Sequence, residues 1–480
     1  MQFTEENISK LFGNEAAEDE DIERLKGYYL KGNVYTQTVN DLPLRILVGH
    51  KGIGKSALFR VAMEEEKLNN KLSLIIKPDD IIGIADNQTD FLKMIRDWKE
   101  GIREIISQKA LISFGLLHDG WRAKFNEYGG QLIDFLQAFF RTSNMVNLGK
   151  SKKLVVDNFL ATNKIYVYID DLDRGWQGRK EDIKRISALL NAIRDIASEN
   201  KGVYFRISLR SDVYYLVRTS DESTDKTEGS VIWFSWTNHE ILALLVKRVF
   251  QFDGININSE KLFEKEQTQL ARDLEKYISY TFNGRGNWEK IPTYRMMMSL
   301  IRKRPRDLVK LCTLAARDAK NQKDEIISTK NFESIFEEYS QGRLQDTINE
   351  YRFELPEIER LLFGMKPSAK QKKASENYTY TTDKLLQKID NIRQSGEFRF
   401  ANGDTADRKS LAAFMYKINF LTARKEHNLG IERKYFEESR YLSHNFVDFG
   451  YDWEVHPAYR WALQPDNIND IFKQMSPSID

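Results

Sequence analysis

The residues best suited to chemistry sit in three short stretches. Gly49-His50-Lys51-Gly52-Ile53-Gly54-Lys55-Ser56 fits the pattern G-x-x-x-x-G-K-[ST], which wraps a phosphate when it joins a strand to a helix. Gly49, Gly52 and Gly54 permit the dihedrals that turn successive backbone N–H groups inward. Lys55 can reach the β- and γ-phosphates, and the Ser56 hydroxyl can ligate Mg²⁺. A helix opening at Ala57 would add its own free N–H groups. The second stretch is Asp170-Asp171-Leu172-Asp173-Arg174. Asp170 is placed to hold Mg²⁺, directly or through water, because a hard cation wants oxygen ligands. Asp171 is then the candidate that polarises the attacking water. The third is Ser208-Leu209-Arg210-Ser211-Asp212, where Arg210 could report the γ-phosphate to the rest of the molecule. A chance turn, or an Asp-rich surface turn, would carry the same letters. The context of each stretch argues for function.

That context comes from the flanking elements. Leu44 to Val48 is an apolar run of strand type, and Ala57 to Glu66 holds good helix formers without Gly or Pro. Leu72 to Ile76 reads as a second strand. Lys164 to Ile169 is β-branched and aromatic, the pattern of a strand buried on both faces. Carboxylates at its end would stand in the crevice where parallel sheets bind ligands. A helix over 182–200, a strand over 202–209 and a strand over 231–234 follow. Arg206 lies within its strand and reads as structural. The periodicity predicts helices over 91–106 and 130–142, with Trp98 and Trp121 in the core. Ser220 to Gly229 reads as an exposed loop. Tyr28 or Tyr29 could stack on a base or simply pack a helix. Arg174 could complete a neighbouring subunit's site or make a local ion pair.

Residues 237–350 read as helical almost throughout. Within them Arg302-Lys303-Arg304-Pro305-Arg306-Asp307-Leu308 opens an apolar helix. The cluster is either a solvated helix entry or a lid that closes an arginine onto a triphosphate, and spacing does not choose. A Lys-rich linker follows at 366–384. A winged-helix type of domain fits the C-terminal end.

The totals bound the rest. The chain has 480 residues, which suggests two to four domains. It carries a net charge of +2, so nothing global demands nucleic acid or membrane, although a local patch could serve either. One cysteine, Cys312, allows no disulfide within the chain and points to a reducing cytoplasm. The start lacks the basic and apolar regions of a signal peptide, and no apolar run reaches membrane-spanning length. The six histidines are scattered without zinc-site spacing. A GTPase would need N-K-x-D, and Asn163-Lys164 is followed by Ile165-Tyr166. No L-S-G-G-Q-like signature of an ABC ATPase is present. A phosphate-loop kinase would need an acceptor-site lid, which the sequence does not show.

Taken together, the motifs resemble those of KAP-type and STAND-type P-loop ATPases. The Asp170–Arg174 tail is similar to their second nucleotide motif, Arg210 to their sensor arginine, and Arg304 to Leu308 to their lid motif. Phe12 to Glu20, Tyr28-Tyr29 and Asp452-Trp453-Glu454-Val455-His456-Pro457-Ala458-Tyr459-Arg460 resemble a bacterial family of the same AAA+-related group, often encoded in anti-phage defence loci. The resemblance implies an α/β fold with a parallel five-stranded sheet, an AAA+-like helical lid and a winged-helix-like C-terminus. It implies domains at 1–236, with a helical insertion near 85–160, at 237–350 and at 351–480. It implies ATP and Mg²⁺ as ligands, with Gly49, Gly52, Gly54, Lys55, Ser56, Ala57 and Arg306 around the nucleotide, Ser56 and Asp170 on the metal, and Lys55, Asp171 and Arg210 at the reacting phosphate. It also implies a homo-oligomeric on/off switch. KAP proteins often carry membrane helices, and STAND proteins a sensor array and an effector domain. Neither is visible here, which points to a separate effector partner. The alternative is an origin-recognition-type initiator or remodelling ATPase whose DNA contacts would be Lys366 to Lys373 and Arg302 to Arg306.

Overall fold

A computed structural model describes residues 3–14, 17–86, 88–117, 119–129, 131–142, 149–220, 222–367, 378–427, 430–443 and 450–464. Part of the Lys-rich linker and the last sixteen residues lie outside these ranges. The chain divides into two compact units. One comprises Lys31–Lys51 and Lys55–Phe234, the other Met1–Leu30, Gly52–Gly54 and Ser235–Asp480.

The first unit is built on a five-stranded sheet of β1 (Leu44–Val48), β2 (Leu72–Ile76), β3 (Ile165–Ile169), β4 (Val203–Leu209) and β5 (Val231–Trp233). Its order is β2-β3-β4-β1-β5, and every pairing is parallel. The fold is therefore α/β, with a P-loop motif opening from a central strand. β3 is buried at all five positions, IYVYI, as a strand covered on both faces must be. β4 lies between β1 and β3, so the strand carrying the phosphate loop and the strand carrying Asp170 are next-but-one neighbours. Their carboxyl ends face the same edge.

Among the described residues, four α-helices fill the connection from β2 to β3: Phe91–Phe114, Trp121–Glu127, Leu132–Thr142 and Lys150–Thr162. The first is capped by Asp90, whose side chain accepts from the Lys93 N–H, and it ends at Gly115 with φ +68°, a left-handed cap that glycine adopts without strain. It packs along the helix Lys180–Glu199. Trp98 and Trp121 are buried, as their apolar setting predicts. Arg206 is fully buried in β4 and donates to the carbonyls of Asn40 (2.6 Å) and Leu42 (2.8 Å), tying down the approach to β1. The expected loop at 220–229 is in fact a 3₁₀ helix, Glu222–Ser230. Thr227 anchors it in the interior, something a purely polar composition does not reveal.

The second unit is mainly helical. Glu5–Phe12 packs on Asn238–Phe252 and Pro305–Gln322, and Ile22–Tyr28 also packs on Asn238–Phe252. The last of these is opened by a capping box in which Thr237 and Glu240 satisfy each other's backbone N–H groups. The helices Thr293–Leu300, Pro305–Gln322 and Thr329–Tyr351 follow. The C-terminal part is winged-helix-like. After the helix Ile358–Gly364 come the strand Thr379–Tyr380, the helices Thr382–Arg393 and Arg408–Lys417, and the antiparallel hairpin Leu421–His427/Gly430–Lys434. A further strand, Asp452–Val455, sits between the hairpin and Thr379–Tyr380 in the four-stranded sheet.

Two buried ionic clusters hold this unit. Asp307 accepts from Arg302 at 2.7 and 2.9 Å and from Arg343 at 2.8 Å. Arg302 also donates to Thr347 (3.0 Å) and to the Tyr459 hydroxyl (2.9 Å). Burial alone would raise the Asp307 carboxyl, but the two guanidiniums hold it well below the usual range. Glu454 likewise sits among Arg433, Arg460 and Arg424, which overcome burial and bring it to about 2. The stretch Asp452–Arg460 is thus largely interior: Trp453, Glu454, His456, Tyr459 and Arg460 are all buried. Arg302 and Arg304 are buried too, at 3% and 2% exposure. This corrects both the solvated helix entry and the notion of these two residues as DNA contacts. Their charges are neutralised inside the protein.

Candidate nucleotide site

β1 ends at Val48 and the helix Lys55–Leu68 begins seven residues later. Between them the phosphate loop turns through Gly52 (φ +78°) and Gly54 (φ +110°), while Gly49 has no positive φ. An L-residue at either of the first two positions would be strained. In the first unit, Gly49 N–H donates to the Leu209 carbonyl at 3.1 Å, and the His50 ring meets the Ser211 hydroxyl at 3.0 Å. The loop is thereby pinned to the end of β4. Lys55 Nζ folds back onto the carbonyls of Gly49 (2.8 Å) and His50 (3.1 Å). Ser56 and Ala57 occupy the first turn of the helix, where free N–H groups gather.

Asp170 follows the last residue of β3. Its Oδ1 accepts from the Ser208 hydroxyl and from the Asp171 N–H (3.0 Å). Both bonds fall on one oxygen, which leaves Oδ2 for a cation. Asp171 is left-handed, φ +62°, and its side chain is exposed. Asp173 turns inward, with 13% of its side chain exposed, and stands 3.6 Å from Arg210. Burial raises its carboxyl, against the pull of the Arg210 guanidinium and the Lys55 ammonium. Arg210 itself forms a two-pronged pair with Asp212, at 3.1 and 2.7 Å. Lys55, Asp170, Asp173 and Arg210 therefore belong to one neighbourhood at the carboxyl edge of the sheet. Ser208, Asp212 and Asp173 have no assigned role in the sequence reading. An acid two residues beyond Arg210 is the one local signal that could have flagged Asp212.

In the second unit the tip of the loop has its own supports. Trp236 donates its indole N–H to the Ile53 carbonyl at 2.8 Å. The Arg306 N–H reaches the Gly52 carbonyl at 3.5 Å. A Cβ on Gly52 would lie 3.1 Å from the Arg306 Cβ and Cδ, so this glycine also gives Arg306 room. Tyr28 is not poised to stack on a base: it is buried, with the Arg248 guanidinium 4.4 Å from its ring centre. Tyr29 is buried as well.

Residues 260–348 match the family model described as the FunZ-associated C-terminal helical domain. Over 394 residues the chain is 22% identical to an 80.3 kDa protein ascribed to transposon gamma-delta of Escherichia coli (strain K12). That match covers 75% of this chain and 54% of the other protein, so the chain spans about half the length of the curated relative it matches. Among solved structures, the chain is similar to a Walker-type ATPase of Pyrococcus abyssi, with 12% identity, TM-score 0.37, and coverage of 88% of this chain and 95% of that one. It is also similar to the ORC2 protein of Aeropyrum pernix in ADPNP–ADP complexes, with 12% identity, TM-score 0.40, and coverage of 94% and 91%. The strand order, rather than these distant superpositions, carries the fold.

Proposed function

We propose that the protein is an Mg²⁺-dependent ATPase that works as a nucleotide-controlled oligomeric switch. The observation that carries this reading is the G-x-x-x-x-G-K-S loop between a central parallel strand and a helix, with Asp170 at the carboxyl end of β3 in the same sheet. Open α/β sheets bind ligands at that edge. Backbone N–H groups of the loop and of the first helical turn would hold the phosphates, and Ala57 belongs to that turn. Lys55 would exchange its carbonyl partners for phosphate oxygens. The Ser56 hydroxyl and Asp170 Oδ2 are hard oxygens that suit Mg²⁺, an ion usually bound by one or two protein groups together with phosphates. When bound, Mg²⁺ would neutralise charge between the β- and γ-phosphates. Arg210 would turn from Asp212 toward the γ-phosphate. Arg306, on the helix that opens at Pro305, would be the lid arginine, with residues 237–350 as the lid.

Slow hydrolysis would reset the switch, because regulation needs only different affinities of ATP and ADP for two states. The KAP/STAND-like motif set and the FunZ-associated match support a setting in bacterial anti-phage defence, and the proposal places the protein in the cytoplasm with a separate effector protein. Among the described residues no helix is long and apolar enough to cross a membrane. Equilibrium binding of a fluorescent ATP analogue, with Lys55→Ala as comparison, tests the reading. Saturable, Mg²⁺-dependent binding lost in Lys55→Ala is expected. Equal binding by both proteins would remove the loop from its role.

A further inference from the structure

We propose that Asp173, rather than Asp171, is the carboxylate that takes the proton from the attacking water. The inference rests on the ATPase reading above and assigns a residue within it. It begins with the turn after β3. Asp171 is held left-handed at φ +62°, a conformation that an L-residue adopts only against a steric penalty. Its N–H is spent on Asp170 Oδ1 and, at 3.4 Å, on Ser208 Oγ. The turn then closes through Arg174 N–H to the Asp171 carbonyl (2.9 Å) and Trp176 N–H to the Asp173 carbonyl (3.0 Å). The outcome is that Asp171 presents its side chain to solvent while Asp173, two residues on, is turned inward.

The company Asp173 keeps points to the γ-phosphate side. Arg210 stands 3.6 Å away, and Lys55, Asp212 and Asp171 are the other charged groups that act on it. Lys55 and Arg210 are the two cations assigned to the terminal phosphate. A base that serves the attacking water must stand where both can be felt. Asp173 is not needed as a strut for Arg210, because Asp212 already grips that guanidinium at both prongs. Its burial also makes it a better proton acceptor than an ordinary aspartate, as a water-activating base requires. In the step, the water oxygen bonds to the γ-phosphorus as the bond from that phosphorus to the β–γ bridging oxygen breaks. The bonding pair leaves on ADP. One water proton passes to Asp173 and then to solvent, and the products are ADP and inorganic phosphate.

The test compares wild type, Asp171→Asn, Asp173→Asn and Asp173→Ala. Phosphate release, binding of a fluorescent ATP analogue and the identity of the co-purifying nucleotide are measured for each. Asp173→Asn should keep ATP affinity within a few-fold, retain ATP rather than ADP, and lose phosphate release by ~100-fold or more, the usual worth of a general base. Asp171→Asn should stay within a few-fold of wild type. Added formate should restore part of the turnover of Asp173→Ala, which a merely structural carboxylate would not allow. The reverse pattern, equal loss in both asparagine variants, or loss of ATP binding in Asp173→Asn would each overturn the assignment. A wild-type chain that binds no ATP would instead overturn the ATPase reading itself.

Discussion

At the scale of single residues, the same side-chain chemistry takes opposite characters according to its surroundings. Asp307 and Glu454 are buried carboxylates that stay charged because arginines surround them. Glu66 is buried in the helix after the phosphate loop, where Arg206 acts on it only through its field. Burial raises it to about 7, with the Tyr168 hydroxyl and Lys71 opposing only in part. A raised carboxyl favours the protonated folded state, so its contribution to stability is full below about pH 4.5 and is lost as pH rises through about 7. Glu66→Gln removes this titration. Its unfolding free energy relative to wild type should therefore rise between pH 5 and pH 8, by up to about 3 kcal/mol. Urea unfolding at the two pH values measures this, and a pH-independent difference would contradict it. Of the residues proposed for the nucleotide site, Lys55 and Ser56 were legible because a motif fixes their spacing, and Asp170 and Arg210 because each follows an apolar strand. The inward turn of Asp173 was not, since it depends on the φ of Asp171, which no sequence pattern declares.

At the scale of elements, the parallel sheet was legible wherever strands are apolar on both faces, as β3 is. The helices were legible from period and from breakers. The burial of Arg302 and Arg304 was not. A basic run ordinarily reads as solvated, but this one is neutralised by Asp307 beside it and by Glu350, and Arg302 is further bonded to Thr347 and Tyr459, tens to more than a hundred positions away. The start of the helix that carries Arg306 is thus fixed by its neighbour in sequence, Asp307. Removing that charge leaves the buried Arg302 guanidinium without its carboxylate and Arg343 with Asp346 alone, so Asp307→Asn should destabilise by about 3–5 kcal/mol. Tyr459→Phe removes only a shared hydroxyl and should cost about 1–2 kcal/mol. Chemical denaturation reads both values. If Asp307→Asn costs no more than Tyr459→Phe, the cluster does not hold the helix start as described.

At the scale of the whole molecule, the chain contains a unit built on the phosphate-loop sheet and a mainly helical unit that ends in a winged-helix-like sheet. The stretch Asp452–Arg460, which stands out in the sequence as a motif, turns out to be interior structure of that second unit, with Glu454 as its charge centre. This explains why its residue types are so particular without giving them a catalytic role. Glu454 is held at about 2 against an ordinary value of 4.5. Its contribution to stability is therefore present above about pH 4.5 and lost as pH falls toward 2. Acid unfolding of wild type should be steep over that range and shallower in Glu454→Gln, a less stable protein at neutral pH. Equal acid profiles would remove Glu454 from the centre of the cluster.

The most direct test of the nucleotide switch is the mass distribution of the full chain with ATP, with ADP and without nucleotide, recorded alongside ATP turnover, with Lys55→Ala as control. Assembly with ATP that reverses with ADP, and is absent in Lys55→Ala, is the expected result. A mass unchanged by any nucleotide, together with brisk turnover, would contradict it.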